Sequence, residues 1–284
     1  MIRSALAILM FASVTASAQT IDVAPSGPIL AGDAISIKLA GMPPKARVSV
    51  SAERLLSSGA KNVLYRADAV FEAGADGSVD LAVASPGSGS YSGAALRGLF
   101  WSMVPSQLAA PADLALEQVV LVAQVDGRPV ARKVVQYVNT LPAVKVETVA
   151  AFPGAVFAAI PGKQKRQVVI VLGGSEDGAS AARQMAPNLA ARGFAVLGLP
   201  YYSPAAWNRP DRELPALPQS FVDIPVDRLE AARAWLRTRT DVDASRIGIL
   251  GVSKGTDFAL IAARKMRWIR SVAAIVPSDV VWQG

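Results

Sequence analysis

Ser253 is the residue whose setting could do covalent chemistry. It stands at the centre of Gly251-Val252-Ser253-Lys254-Gly255, a G-x-S-x-G pattern. The apolar run Ile247–Leu250 before it reads as a buried strand, and Thr256–Met266 after it reads as a helix. Strand, tight turn and helix in that order predict a nucleophile elbow, with the serine hydroxyl projecting from the strand tip. The residues two before and two after must be tiny, because strand and helix backbones nearly touch there, and Gly251 and Gly255 meet that demand. The alternative is a serine in an ordinary glycine-rich turn.

Attack by a serine on an acyl carbon needs a projecting hydroxyl, a base, an orienter for the base, and donors for the oxyanion. Ser253 supplies the first. The Lys254 N–H, at the start of the helix, is one expected oxyanion donor. The second is expected from the loop Gly173-Gly174-Ser175-Glu176-Asp177-Gly178, through the N–H of Ser175 or Gly174, unless that loop is a tight turn without a ligand. The base and its orienter are missing. The chain has no histidine and no cysteine, which also excludes disulfides and a thiol nucleophile. The Lys254 side chain follows the elbow into the helix and does not replace a histidine. Glu176 and Asp177 read as solvated turn carboxylates. No metal set and no cofactor are expected.

Three segments must position these residues. Residues 1–18 read as a signal peptide, with Arg3 as the charged start, Ala5–Val14 as the apolar stretch and Ala16-Ser17-Ala18 as the cleavage site. This predicts export, to a periplasm or the medium, with no membrane span after cleavage. Residues 19–143 read as all-β. Candidate strands are Ile21–Ala24, Ala34–Ala40, Arg47–Arg54, Val63–Phe71, Ser78–Ala84, Gly98–Met103, Gln118–Gln124 and Val130–Val138. Asp126-Gly127 is a hairpin signal between the last two. Strands this short and this closely spaced predict a β-sandwich of immunoglobulin-like size. Phe100-Trp101 reads as core packing.

From Leu141-Pro142 onward the pattern changes. Val146–Phe152 and Ala155–Ile160 read as a hairpin, and Gln167–Leu172 as a continuous apolar strand of the kind found in parallel sheets. A helix over Ala179–Arg192, a strand over Phe194–Leu199 and a Pro-rich loop from Tyr201 to Pro218 follow. A helix from about Pro225 to Arg239 comes next, with Asp223 placed to cap it. The elbow and the strand Val272–Val276 complete residues 144–284. Strands alternating with helices predict a mostly parallel sheet covered on both faces.

Hydrophobic residues make up 52% of the 284 positions, enough to bury a sizeable core and exclude global disorder. The formal charge is +7. Its densest groups, Lys163-Lys165-Arg166 and Arg264-Lys265-Arg267-Arg270, read as solvated faces rather than a rim for a phosphate-bearing substrate such as coenzyme A. No basic-aromatic interleaving points to nucleic acid. Oligomeric state is left open.

The chain resembles the acyl-CoA thioester hydrolase and bile acid-CoA:amino acid N-acyltransferase family. The matching pieces are Gly89–Gly93 with Gly98–Met103, then Ile170–Glu176, Ala191–Leu197, Arg246–Gly255 and Val276–Gly284. The resemblance implies an immunoglobulin-like N-terminal domain followed by an α/β-hydrolase domain. It places Ser253 at the nucleophile position. The family's transferases use cysteine there, so serine implies the thioesterase branch, with water as acceptor and an acyl thioester or ester as substrate. The family's Asp and His fall beyond Gly284. The expectation is therefore a hydrolase domain truncated after the strand that follows the elbow, with little or no triad-type turnover. The alternatives are a non-catalytic relic or binding protein, and a dienelactone-hydrolase-like carboxylesterase.

An α/β domain that stops there would leave its last strand as a bare apolar edge. The 284-residue chain expressed alone is expected to be poorly soluble or partly molten. A sharp cooperative melt from a monodisperse monomer, by light scattering and calorimetry, contradicts that expectation.

Overall fold

A computed structural model of the chain describes residues 18–58, 61–175, 178–205 and 212–278. The expected signal segment, Glu176, Asp177, the middle of the Pro-rich loop and the stretch after Ser278 lie outside the described residues. The fold divides into two compact units, one running to Val138 and the other starting at Asn139.

The first unit is built from β1 (Thr20–Ala24), β2 (Ile29–Leu30), β3 (Ser36–Ala40), β4 (Arg47–Ser58), β5 (Lys61–Glu72), β6 (Val79–Asp80), β7 (Ser88–Gly89), the short helix α1 (Gly98–Trp101), β8 (Val104–Pro105), β9 (Gln118–Val125) and β10 (Arg128–Val138). One sheet runs β1-β3-β6 and the other β2-β10-β9-β4-β5-β7, with β8 also on β5. Alternation decides what is buried. Val48, Val50 and Ala52 of β4 join Ala67, Ala69 and Phe71 of β5, and meet Ile37 and Leu39 of β3 in a single apolar cluster. Glu53, on the other face of β4, is also buried and pairs with Arg66. At the β9–β10 turn both Asp126 and Gly127 have positive φ, 50° and 73°, which suits the twist of a two-residue hairpin.

Three readings of this unit are corrected. Gly98–Met103 is not a strand: Gly98–Trp101 form a helical turn, closed by bonds such as Ser102 N–H to the Gly98 carbonyl at 3.2 Å. A short apolar run has no period that separates strand from helix. Gly98 must also lie flat under Tyr91, since an added Cβ would meet its ring at 2.3 Å. Phe100 packs on Tyr137 with ring centres 4.8 Å apart, but Trp101 is 65% exposed and only touches Tyr91 edge-on. Of Ser78–Ala84, only Val79–Asp80 pairs as strand.

The second unit contains β11 (Lys145–Thr148), β12 (Val156–Ala159), β13 (Arg166–Leu172), α2 (Ser180–Ala190), β14 (Ala195–Gly198), α3 (Asp227–Arg237), β15 (Val242–Val252), α4 (Lys254–Lys265) and β16 (Ile269–Ile275). The sheet order is β11-β12-β14-β13-β15-β16. The strands β14, β13, β15 and β16 are parallel, and β11 and β12 add an antiparallel margin. Period two assigns the faces. Val168, Ile170 and Leu172 of β13, with Ile247 and Ile249 of β15, pack on Leu229, Ala232 and Leu236 of α3 and on Phe258, Ala259 and Ala262 of α4. Val171 and Val196 face the other way, onto Ala186 and Ala190 of α2. Helix α2 lies so close that a Cβ on Gly198 would reach the Ala182 Cα at 2.6 Å.

Asp223 does not cap α3. The helix starts at Asp227 with Val226 at the cap position and no side-chain cap bond, so Asp223, at φ 53°, lies three residues too early. The acidic first turn, Asp227 and Glu230, complements the helix dipole instead.

Strand β15 begins earlier than its apolar run. Its register against β13 breaks between Gln167 and Val168, opposite Asp243 and Ile247. The intervening residues are gathered by the Asp243 carboxylate, which accepts from the Ser245 N–H at 3.0 Å, the Ser245 hydroxyl at 2.6 Å and the Arg246 Nε at 2.5 Å. The Ser245 hydroxyl, then the Arg246 guanidinium, hold the Asp243 pKa down to about 2. A carboxylate depressed on folding stabilises above its unfolded pKa and loses that contribution as pH falls through the folded one. Asp243→Asn should therefore lower the urea midpoint at pH 7, and its difference from wild type should shrink as pH falls from about 4 to about 2. Chemical denaturation at stepped pH checks this; a pH-independent difference contradicts it.

Candidate active site

The second unit's loops of interest gather at the carboxyl ends of its parallel strands, the place where ligands bind in open α/β sheets. Strand β15 runs into Ser253, and α4 begins at the next residue. Ser253 has φ 48° and ψ −119°, a left-handed conformation that costs a side-chain-bearing residue about 1–3 kcal/mol. Two contacts hold it there. Its N–H donates to the Ile275 carbonyl of β16 at 2.9 Å, and its own carbonyl accepts from the Thr256 N–H at 2.8 Å.

The two glycines of the motif lie where strand, helix and loop meet. A Cβ on Gly251 would stand 2.5 Å from the Gly255 carbonyl oxygen. A Cβ on Gly255 would stand 2.4 Å from the carbonyl oxygens of both Leu172 and Gly173. All of these neighbours are backbone, so no side-chain rotation relieves the overlap.

The loop after β13 closes over the serine. A Cβ on Gly174 would lie 3.4 Å from the Ser253 Cβ. Gly174 and Ser175 line a cavity of about 340 Å³ together with Val252, Ser253 and the Ser180, Gln184 and Met185 side of α2. Lys254 provides an N–H in the first turn of α4, where backbone donors have no intrahelical acceptor. Its side chain leaves this cavity. The ammonium lies 3.7 Å from the buried Asp257 and 5.5 Å from the centre of the Phe221 ring, in a separate cavity of about 220 Å³ lined also by Tyr201 and Phe258. Among the described residues, no titratable side chain lines the Ser253 cavity. Among them, too, no group of three metal-ligating side chains occurs, and no helix is long and apolar enough to cross a membrane. Glu176 and Asp177 lie outside the described residues.

The segment that follows β14, read from the sequence only as the start of a Pro-rich loop, also builds the site. Tyr201 donates its hydroxyl to the Gly173 carbonyl at 3.0 Å, and Tyr202 donates to the Ser175 carbonyl. Behind them, Arg228 of α3 donates to the Pro200 carbonyl at 2.8 Å, and burial pushes its guanidinium pKa down. Ser203, fully buried, donates its N–H to the Pro218 carbonyl at 2.9 Å. Two tyrosines just past the carboxyl end of a parallel strand were the available signal, hidden by the proline-rich stretch after them.

A strained serine between strand and helix, under a glycine loop and over a two-sided sheet, defines an α/β-hydrolase-type domain. In agreement, residues 155–280 match the dienelactone hydrolase family, and residues 32–151 match the acyl-CoA thioester hydrolase/BAAT N-terminal region. Over 258 residues the chain is 31% identical to acyl-coenzyme A thioesterase 6 of Mus musculus, covering 87% of this chain and 58% of that one. Over 268 residues it is 30% identical to acyl-coenzyme A thioesterase 1 of Rattus norvegicus, covering 90% and 60%. Over 261 residues it is 29% identical to acyl-coenzyme A amino acid N-acyltransferase 2 of Rattus norvegicus, covering 87% and 59%. Along most of its length the chain is similar to the acyl-CoA thioester hydrolase and amino acid N-acyltransferase family, and it spans about three fifths of the length of these relatives.

Gly255→Ala should destabilise the second unit by about 1–3 kcal/mol or stop it folding, because overpacking against backbone has no cheap relief. Gly162→Ala, where the nearest atom is a flexible Arg166 nitrogen at 3.7 Å, should leave it within experimental scatter. Paired thermal melts compare the two, and equal melting points would contradict the close approach.

Proposed function

We propose that this chain carries the acylation half of a serine acyl hydrolase of the acyl-CoA thioesterase kind, with Ser253 as nucleophile. The observation that carries this reading is Ser253 itself, held at positive φ on the wall of a cavity. The hydroxyl oxygen attacks the acyl carbon. The Lys254 N–H, with that of Gly174 or Ser175, receives the negative charge developing on the carbonyl oxygen. The bond to the leaving sulfur or oxygen then breaks, and water later hydrolyses the acyl-serine. With no histidine in the chain and, among the described residues, no titratable side chain lining the cavity, the hydroxyl proton is taken by solvent hydroxide, so acylation is slow. Donor groups and binding still give a rate above water when the triad base is missing.

The match of residues 155–280 to the dienelactone hydrolase family supports a second reading, a carboxylesterase acting on oxygen esters. The family's thioesterases favour the thioester. We further propose that the first unit is an immunoglobulin-like sandwich, since two sheets enclose one core, and that the protein is exported, on the Arg3, Ala5–Val14 and Ala16-Ser17-Ala18 pattern.

Incubation with a nitrophenyl ester or an acyl-CoA, followed by peptide mass spectrometry, should find one slow acyl adduct on Ser253 and none in Ser253→Ala. Faster adduct formation from the acyl-CoA favours the thioesterase reading, and faster formation from the nitrophenyl ester favours the carboxylesterase. An adduct on another residue, or rapid multiple turnover lost in Ser253→Ala, contradicts the proposal.

A further inference from the structure

We infer that Tyr201 is the positioning residue of this site: its hydroxyl fixes the peptide between Gly173 and Gly174 so that the Gly174 N–H faces the Ser253 cavity. The inference rests on the proposed acyl chemistry for its consequence, but on geometry for its substance. A trans peptide is planar, with C=O and N–H pointing in opposite directions. Whatever holds the Gly173 carbonyl therefore aims the Gly174 N–H. The Tyr201 hydroxyl donates to that carbonyl at 3.0 Å from a ring that is only 2% exposed. The carbonyl is also confined from the side of α4, where a Cβ on Gly255 would come within 2.4 Å of its oxygen. The carbonyl thus points inward, toward Tyr201 and Gly255. The opposite end of the same peptide belongs to Gly174, which lines the Ser253 cavity and approaches the Ser253 Cβ.

Two neighbouring glycines make such a grip necessary. Neither Gly173 nor Gly174 resists rotation of the peptide between them. A flipped peptide would present a carbonyl dipole to the developing oxyanion in place of a donor, turning attraction into repulsion.

The ring is itself fixed. It stacks on Phe258 of α4 at 4.8 Å with planes 4° apart, and the preceding Pro200 carbonyl is held by Arg228. Helix α4 therefore supplies the Lys254 N–H at its start and, one turn on, the ring that anchors the other donor. The two donors are set relative to each other through one helix.

Tyr201→Phe removes the hydroxyl and keeps the stack. In full-length protein labelled with [15N]glycine, the Gly174 amide resonance, assigned through Gly174→Ala, should move in Tyr201→Phe. The rate constant for Ser253 modification by a fluorophosphonate should fall by roughly tenfold or more, with the half-saturation concentration unchanged, as expected for a donor that acts on the transition state. An unmoved Gly174 resonance, or an unchanged rate constant in a protein whose Ser253 is modified, overturns the inference. Failure of wild-type Ser253 to react defeats the proposed function instead, and the Gly174 resonance still decides this one. If Tyr201→Phe does not fold, Phe258→Leu, which loosens the ring and keeps the hydroxyl, should move the same resonance; an unmoved one overturns the inference.

Discussion

The site depends on one close approach of three backbones. Strand β15, helix α4 and the loop after β13 converge at Gly251 and Gly255, where there is no room for a single carbon atom. That contact forces the chain to reverse within one residue, and the residue that takes the strain is Ser253. It also brings the Gly173–Ser175 loop over the serine, because the Leu172 and Gly173 carbonyls rest directly on Gly255. Serine strain, loop position and helix N-terminus are thus one arrangement with one cause.

Everything around this contact serves to hold it. The sheet supplies the rigid part, with β13 and β15 packed in parallel register and covered by α3 and α4 on one face and α2 on the other. The Ile275 carbonyl of β16 takes the Ser253 N–H, so the strand beyond the elbow also fixes the strained residue. The tyrosines after β14 grip the glycine loop from beneath. A strained conformation persists only where its surroundings over-determine it, and here four successive strands or their loops each hold some part of it.

The elbow geometry was legible in the sequence because its cause is local. Two glycines at fixed distance from a serine, between an apolar strand and a helix, leave few other conformations. The two-sided sheet was legible for the same reason, through continuous apolar runs such as Val168–Leu172. What escaped was decided at longer range. Gly98–Trp101 turns as a helix because Tyr91 lies across Gly98, and no local pattern announces that. Asp223 looks like a cap, yet the helix starts at Asp227, past its reach. The Asp243 turn depends on register with β13, and the Tyr201 bond joins residues from two separate βα loops. Local chemistry showed where a nucleophile could stand; the groups that hold the glycine loop beside it are set by tertiary contact.

Ser253 stands at positive φ on the wall of a cavity that, among the described residues, no titratable side chain lines, and we propose that it reacts without a side-chain base. Its modification by a fluorophosphonate, followed across pH 5 to about 10, tests that claim most directly, since a histidine-type base would titrate near pH 6.5. The rate constant should rise in proportion to hydroxide, with no bend near neutrality, and vanish in Ser253→Ala. A profile that levels off above about pH 7 would reveal a titrating base beside Ser253 and overturn the proposal.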